Sequence, residues 1–365
     1  MMTPCKNRII IHTTTKLRFG NAGVRTLMNQ ARSAMGDAHA KVNMTLEVLD
    51  RRPDGYHNIR SVMQTISLKD SIVIRRGTGQ PGIALTVDGP AAAGIASDQS
   101  NLVVRAVQSV LSHAGIDPAS ESIVVHLHKT IPSEAGLGGG SSDAATALLI
   151  TNRIFDLGIA MPDLVTIAST LGSDVPFFLT GGAARVEGVG ERVVPLDKPS
   201  FAYQHCCLVL IKPDSNVSTA TAYRALDDAR AASALSTTYN SPSNTMRLPL
   251  TPALPAGETG LGREGCPSSA WEAAYEYGVN LPLHNDFEPV VFALSPEIAD
   301  VHASLTAIAR SIGAPADPAL TGSGSALFLI VIDKQMAAKA VAAIERAGLG
   351  DIYVAQPTRG GMGID

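Results

Sequence analysis

Lys129-Thr-Ile-Pro-Ser-Glu-Ala-Gly-Leu-Gly-Gly-Gly-Ser-Ser-Asp-Ala-Ala145 joins two different patterns. Before it, Ile123–His128 alternates apolar and polar residues, which predicts a strand. After it, Ala144–Phe155 is rich in alanine and predicts a helix. A glycine-rich turn between strand and helix can take positive φ and let a ligand approach the backbone. The helix that follows offers free N–H groups and a partial positive charge, which suits a polyphosphate. Ser141 and Ser142 are expected to cap that helix and to add hydroxyl oxygens for phosphate or Mg²⁺. No Lys-Ser/Thr pair follows the glycines, so this is not a Walker loop. Nor does it open a βαβ unit with GxGxxG spacing, so it is not a dinucleotide fingerprint. Alone, the loop reads as well for a plain turn as for a phosphate cradle.

Outward from the loop, strands and helices mix without regular βαβ alternation. Val42–Leu49, Val62–Leu68, Ser71–Ile74 and Ile83–Val87 predict strands, and Pro53-Asp-Gly55 a turn. Asn101–Leu111 has helical spacing. In the second half, Leu208–Lys212 and Ala326–Ile332 predict strands. Thr219–Arg230, Pro296–Ile312 and Lys334–Ala347 predict helices. Ala232–Ser269, rich in Ser, Thr, Pro and Gly, predicts a long surface loop. This order favours an α+β fold over a doubly wound parallel sheet. Residues 1–35 have no clear period and read as an N-terminal extension, a flexible arm or the product of an early start codon.

The chain of 365 residues suits two packed domains. It is 45% hydrophobic and 17% charged with a net charge of -4, the composition of an ordinary folded protein without general attraction to nucleic acid or an anionic membrane. No uncharged apolar window reaches the ~18 residues of a membrane span. The cysteines Cys5, Cys206, Cys207 and Cys266 form no CxxC pair, and Cys206-Cys207 reads as strand filler. That usage points to a reducing cytoplasm.

Phosphoryl transfer needs positioning, charge neutralisation and an acceptor for the hydroxyl proton. Two residues stand out for this. Lys41 opens a strand, and Asp174 lies in Leu171-Gly-Ser-Asp-Val-Pro-Phe-Phe178, where a carboxylate is partly desolvated unless a cation pairs with it. From spacing alone the plainer reading is ahead for each: Lys41 as a surface charge, Asp174 as a helix cap or turn residue. Asp54-Gly-Tyr-His57 sets two rings side by side after a turn, either a nucleobase platform or a hairpin with one ring buried. Thr321-Gly-Ser-Gly-Ser325 is a hairpin turn or a second wall of the phosphate pocket.

Taken together and in order, these segments resemble the GHMP kinase superfamily. The resemblance rests on Ala40-Lys-Val-Asn43, Arg52-Pro-Asp-Gly-Tyr-His57, Asp98-Gln-Ser-Asn-Leu102, Lys129–Asp143, Gly172–Phe178, Glu187-Gly-Val-Gly-Glu191, Asn285-Asp-Phe-Glu288 and Thr321–Gly324. It covers most of residues 38–357. Asp-Gly-Tyr-His after the first strand sets apart the branch whose acceptor is the 2-hydroxyl of a cytidine diphosphate-linked methylerythritol, rather than mevalonate or homoserine kinases.

The resemblance implies two α+β domains with the active site in the cleft between them: an ATP-binding domain at 36–200 and a substrate-binding domain at 201–365 with a long loop near 232–269. It implies that Asp174 is the general base and Lys41 its partner, and that Asn43 holds the substrate near the reacting hydroxyl. Tyr56, His57, Thr219 and Tyr223 are implied cytidine contacts. Asn101, Leu102 and Lys129 fall where the family holds adenine, and Pro132 is implied at the ATP site. Gly136, Leu137, Gly138, Gly139, Gly140, Ser141, Ser142 and Asp143, with Gly322, Ser323 and Gly324, are implied around the ATP phosphates. ATP with Mg²⁺ is the implied co-substrate, and no carboxylate is singled out as a metal ligand. The expected protein is cytoplasmic, a monomer or weak homodimer, and binds neither nucleic acid nor membrane. His39 stands where the family usually has proline. A non-catalytic nucleotide-binding protein of the same fold is the rival of another class, and it would be expected to lack Lys41 or Asp174.

Overall fold

The computed structural model describes residues 10–11, 32–196, 206–239 and 283–359. Two long antiparallel strands organise it, β2 (Arg32–Arg51) and β3 (His57–Arg76). A two-residue strand, β1 (Ile10–Ile11), pairs with Met35 and Ala34 of β2. The turn at Pro53-Asp-Gly55 joins β2 to β3, with Gly55 at positive φ. On the far side of β3 lie β5 (Ser122–His128) and, parallel to it, β4 (Gly82–Asp88). The first half of β3 pairs instead with β6 (Ala183–Gly188), which pairs with β7 (Arg192–Pro195). β9 (His284–Asn285) returns from the second half of the chain and adds to β2 in parallel.

Four helices pack together on this sheet: α1 (Leu102–His113), α2 (Gly139–Ile154), α3 (Met161–Leu171) and α4 (Val175–Thr180). In α2, Ala144, Ala145, Ala147, Leu148 and Ile150 are all buried, so the helix is apolar nearly all round and runs through the core. The second sheet is antiparallel and contains β8 (Cys207–Lys212), β10 (Ala319–Leu320), β11 (Leu327–Val331) and β12 (Asp351–Ala355) in the order β10-β11-β8-β12. The helices of this half are α5 (Thr219–Tyr239), α6 (Glu288–Leu294), α7 (Pro296–Ile312) and α8 (Lys334–Ala347).

β8 explains how the halves join. Leu208 and Leu210 share one apolar cluster with Ala40, Val42 and Met44 of β2, while Cys207, Val209 and Ile211 belong to the other. A strand buried on both faces reads as an unbroken apolar run, as Cys206–Ile211 does. Cys206 and Cys207 are buried, as strand filler requires.

The α+β fold expected from sequence is the one observed. Several boundaries move. Val62–Leu68 and Ser71–Ile74 belong to one 20-residue strand, and β2 begins at Arg32, inside the expected extension. α2 starts at Gly139, not Ala144, and Gly138 takes the N-cap position at φ 69 with no side-chain cap. Ser141 and Ser142 therefore lie within the first turn and do not cap it. The helix at Thr219 runs on to Tyr239, over the start of the expected loop. The rest of that loop, 240–269, and most of 1–35 lie outside the described residues.

Candidate active site

A cleft of about 600 Å³ opens where the two glycine loops meet. Its walls include Lys41, Asp174, the loop from Gly136 to Ser141, and Gly322 with Ser323. The loops touch closely. Gly136 has φ +72, and a Cβ there would stand 2.1 Å from the Thr321 carbonyl oxygen. Gly138, at φ +69, packs on the Phe178 ring, where a Cβ would come within 2.8 Å. Both positions demand glycine, so the cradle is shaped by contact as well as by conformation. Gly324 turns away, toward Leu320 and Val291.

β2 delivers the cation. Its pairing with β3 shifts register between His39 and Lys41 and again between Asn43 and Thr45. Bulges of this kind re-aim side chains and free backbone groups from the ladder. The Lys41 N–H donates to the Leu137 carbonyl at 3.0 Å, and the Asn43 N–H to Thr321 Oγ1 at 3.1 Å. The first glycine loop is thereby tied to Lys41 and the second to Asn43, two residues apart on β2. The Lys41 side chain is 3% exposed, and its Nζ lies 3.7 Å from Asp174 Oδ2. Burial pushes the Lys41 pKa below its ordinary value, and the Asp174 carboxylate opposes that shift. Lys41 Nζ also donates to Asn43 Oδ1 at 2.5 Å. Asn43 Oδ1 accepts from the Gly322 N–H at 3.0 Å, and its amide nitrogen donates to Ser61 Oγ at 2.8 Å. Asn43 is thus a hub joining the cation, the second glycine loop and β3.

Asp174 occupies the N-cap position of α4 without capping it. Its side chain, 29% exposed, is left to face Lys41. Burial of Val175, Phe177 and Phe178 anchors the turn behind it. Ser141 Oγ lies on the same side of the cleft, 4.0 Å from where a Gly172 Cβ would be.

Beneath the loop lies a buried ionic triad. Lys129 Nζ contacts both Asp70 and Asp143, with a distance of 2.7 Å to Asp143 Oδ2. Asp70 is wholly buried and also accepts the N–H groups of Thr130 and Ile131. Burial opposes charge on Lys129, but Asp143 and Asp70 outweigh it and raise its pKa. Asp143 is pushed up to about 7, first by burial, with Lys129 opposing and Asp70 adding to the rise. Its Oδ1 is buried without a hydrogen bond. The triad pins the strand end before the loop to the helix after it.

At the expected adenine end, Asn101, Leu102, Lys129 and Pro132 all line the cleft. The Asn101 side chain already accepts from the Val103 N–H and donates to the Ala96 carbonyl. Ser142 is buried just outside the lining, whereas Asp143 reaches it.

At the other end, Tyr223 lines the cleft and stacks on His57, with ring centroids 5.0 Å apart and an interplanar angle of 22°. It meets Phe287 edge-on at 4.8 Å. Burial, and then the charge of Asp174, push the Tyr223 hydroxyl up to about 12. Thr219 Oγ1 bonds Ser323 Oγ at 2.8 Å, which joins α5 to the second glycine loop. His57 is buried, whereas Tyr56 beside it is 65% exposed, so the two rings are not one flat platform.

Three residues escaped the sequence reading: Asp70, Ser61 and Asp227. Asp70 left a signal, a carboxylate in Lys69-Asp-Ser71 between two largely apolar stretches. Aspartate is scarce in strands, so it reads as a break between two of them. Asp227, whose Oδ1 lies 2.8 Å from His57 Nε2, left none. Among the described residues no group of three or more His, Cys, Asp or Glu is placed to hold a metal, and no helix is long and apolar enough to cross a membrane.

The chain is similar to known proteins along most of its length. The family model for the GHMP kinases N terminal domain matches residues 101–182. A 4-diphosphocytidyl-2-C-methyl-D-erythritol kinase of Pelotomaculum thermopropionicum is 34% identical over 313 residues, 85% of this chain and 93% of the relative. The enzyme of that name from Solidesulfovibrio magneticus is 38% identical over 310 residues, 84% of this chain and 92% of its own. Among solved structures, a 4-(cytidine 5'-diphospho)-2C-methyl-D-erythritol kinase superposes with a TM-score of 0.64 at 31% identity, covering 90% of this chain and 99% of that one. A homoserine kinase from Cytophaga hutchinsonii, 18% identical with a TM-score of 0.62, shares the fold.

Proposed function

Belonging to the 4-diphosphocytidyl-2-C-methyl-D-erythritol kinases of the GHMP kinase superfamily, the chain is an ATP-dependent small-molecule kinase, and we propose a role in catalysis for each wall of its cleft. It transfers the γ-phosphoryl group of ATP to the 2-hydroxyl of the cytidine-linked methylerythritol, in the methylerythritol phosphate route to isoprenoid precursors. The observation that carries this reading is the Lys41–Asp174 pair set against the Gly136–Ser141 loop.

Asp174 accepts the proton of the 2-hydroxyl as its oxygen bonds to the γ-phosphorus and ADP leaves. A positioned base of this kind contributes about 10²–10⁴ in rate. Lys41 holds the carboxylate in place and faces the charge that develops on the phosphoryl oxygens. The unpaired N–H groups at the start of α2 hold the phosphates. Asn43 keeps Lys41 and Gly322 in register and has an amide N–H left for the acceptor. Leu102 and Pro132 flank adenine, because the polar ends of Asn101 and Lys129 are already engaged. Tyr56, His57, Thr219 and Tyr223 contact the cytidine end, where stacking is worth about 1–3 kcal/mol per base.

The Ser141 hydroxyl is the cleft oxygen that would hold a magnesium ion carried by ATP, with no protein carboxylate cluster needed for it. When bound, it neutralises phosphate charge. The division near residue 200 is supported by the two sheets, although the cytidine end draws on both halves. A monomer or weak homodimer in the cytoplasm belongs to the same reading, and the buried thiols of Cys206 and Cys207 fit a reducing setting.

The test is incubation with ATP, Mg²⁺ and 4-diphosphocytidyl-2-C-methyl-D-erythritol, with mass detection of the 2-phosphate. Phosphorylation of mevalonate or homoserine in its place would overturn the reading. ATP binding without any product would favour the non-catalytic rival.

A further inference from the structure

His57 is held by more than stacking. Its Nε2 lies 2.8 Å from Asp227 Oδ1. The imidazole is 5% exposed and Asp227 is 31% exposed. The second carboxylate oxygen of Asp227 faces Arg51 Nη1 at 3.8 Å, so the carboxylate is held from both sides. Asp227 stands on α5 one turn beyond Tyr223, whose ring covers His57, and two turns beyond Thr219. One turn further, Arg230 donates to the Val48 carbonyl at 2.7 Å. A single stripe of α5 therefore grips the strand pair that presents His57.

A carboxylate only accepts hydrogen bonds, so the shared proton sits on Nε2. In a neutral imidazole the other nitrogen is then an acceptor, and the partner of one nitrogen decides what the other can do. Nδ1 of His57 has no hydrogen bond among the described residues.

We propose that Asp227 is a positioning residue that holds His57 in the Nε2–H tautomer, so that Nδ1 accepts from an exocyclic amine and the site prefers a 4-aminopyrimidine to a 4-oxopyrimidine. An amine gives Nδ1 a hydrogen, whereas a carbonyl oxygen opposes lone pair to lone pair and leaves both groups unsatisfied. Without Asp227 the ring can move its proton to Nδ1 and the preference weakens. The inference rests on the cytidine reading of this site.

The experiment uses the full chain, wild type and Asp227→Ala, with the diphosphocytidyl substrate and its diphosphouridyl analogue. The wild type should favour the cytidyl compound in kcat/KM. In the variant that ratio should fall at least about tenfold, equivalent to 1.4 kcal/mol. The change should appear in the KM of the cytidyl substrate, while the KM of ATP stays within about twofold. A simple docking role for Asp227 would lower activity on both compounds alike, and an unchanged ratio overturns the proposal. Imidazole ¹⁵N spectra of the wild type provide a second readout that needs no variant to fold. A His57 signal with the proton on Nε2 supports the proposal, and one with the proton on Nδ1 overturns it. Failure of the wild type to phosphorylate the cytidyl compound would count against the functional reading instead, and the spectrum would still decide the Asp227 pair.

Discussion

Replacing Asp143 by asparagine should flatten the pH dependence of stability. The side chain keeps its shape and can still accept from Lys129 Nζ, which retains Asp70 as its charged partner. What disappears is a titration. The Asp143 pKa rises from 3.8 to about 7 on folding, chiefly through burial. Between those values the folded state binds more protons than the unfolded chain, so stability is greatest below the lower value and is lost as pH rises through the upper one. With these two values, the loss assigned to Asp143 between pH 5 and pH 8 is about 3 kcal/mol. Asparagine does not titrate and shows none of it. Urea unfolding of both proteins at pH 5, 6, 7 and 8 measures the effect. The stability of Asp143→Asn relative to wild type should climb by about 3 kcal/mol across that range, most of it below pH 7.5. Titrating groups away from the triad are common to both proteins and cancel in the difference. Parallel curves would refute the reasoning and place the missing proton elsewhere in the triad.

Asp174→Asn should lower kcat by about 10²-fold or more and leave the affinity for a non-hydrolysable ATP analogue near wild type, as rapid-quench and calorimetric measurements can check. Near-normal turnover would remove Asp174 from the role of base. His57→Ala should raise the KM of the cytidyl substrate far more than that of ATP, and equal rises would count against its place at the cytidine end. Gly136→Ala must meet both a positive φ and the Thr321 carbonyl 2.1 Å from the new Cβ. Moving one glycine loop off the other should weaken ATP-analogue binding at least about tenfold, and unchanged binding would show that the contact does not shape the cradle.

The sequence carried the features that depend on neighbours in the chain. The glycine run of 136–140 signals its own turn, and the alanines after it signal a buried helix. Alternation along Val42–Leu49 marks β2 as a strand. Lys41 and Asp174 were legible as polar residues in apolar company, and resemblance turned them into a pair. Gly322 and Ser323 were legible as a turn, with a second wall of the pocket as the open alternative.

Other contacts have no local trace. Asp70 looked like a break in a strand, because nothing near it in sequence says that Lys129, 59 positions on, lies over it. Asn43 meets Gly322 across 279 positions, and His57 meets Asp227 across 170. Periodicity and turn chemistry record which face a residue shows within its own element. They do not record which distant element comes to cover that face. The sequence by itself determined the α+β fold, the loop and the chemical class of the site. Only the tertiary structure decided that Lys41 and Asp174 share a cleft at 3.7 Å, that a buried triad braces the loop, and that a carboxylate on α5 fixes the imidazole. The physical reason is that hydrogen bonds and ion pairs act through distance in space, which the packing of the two sheets sets.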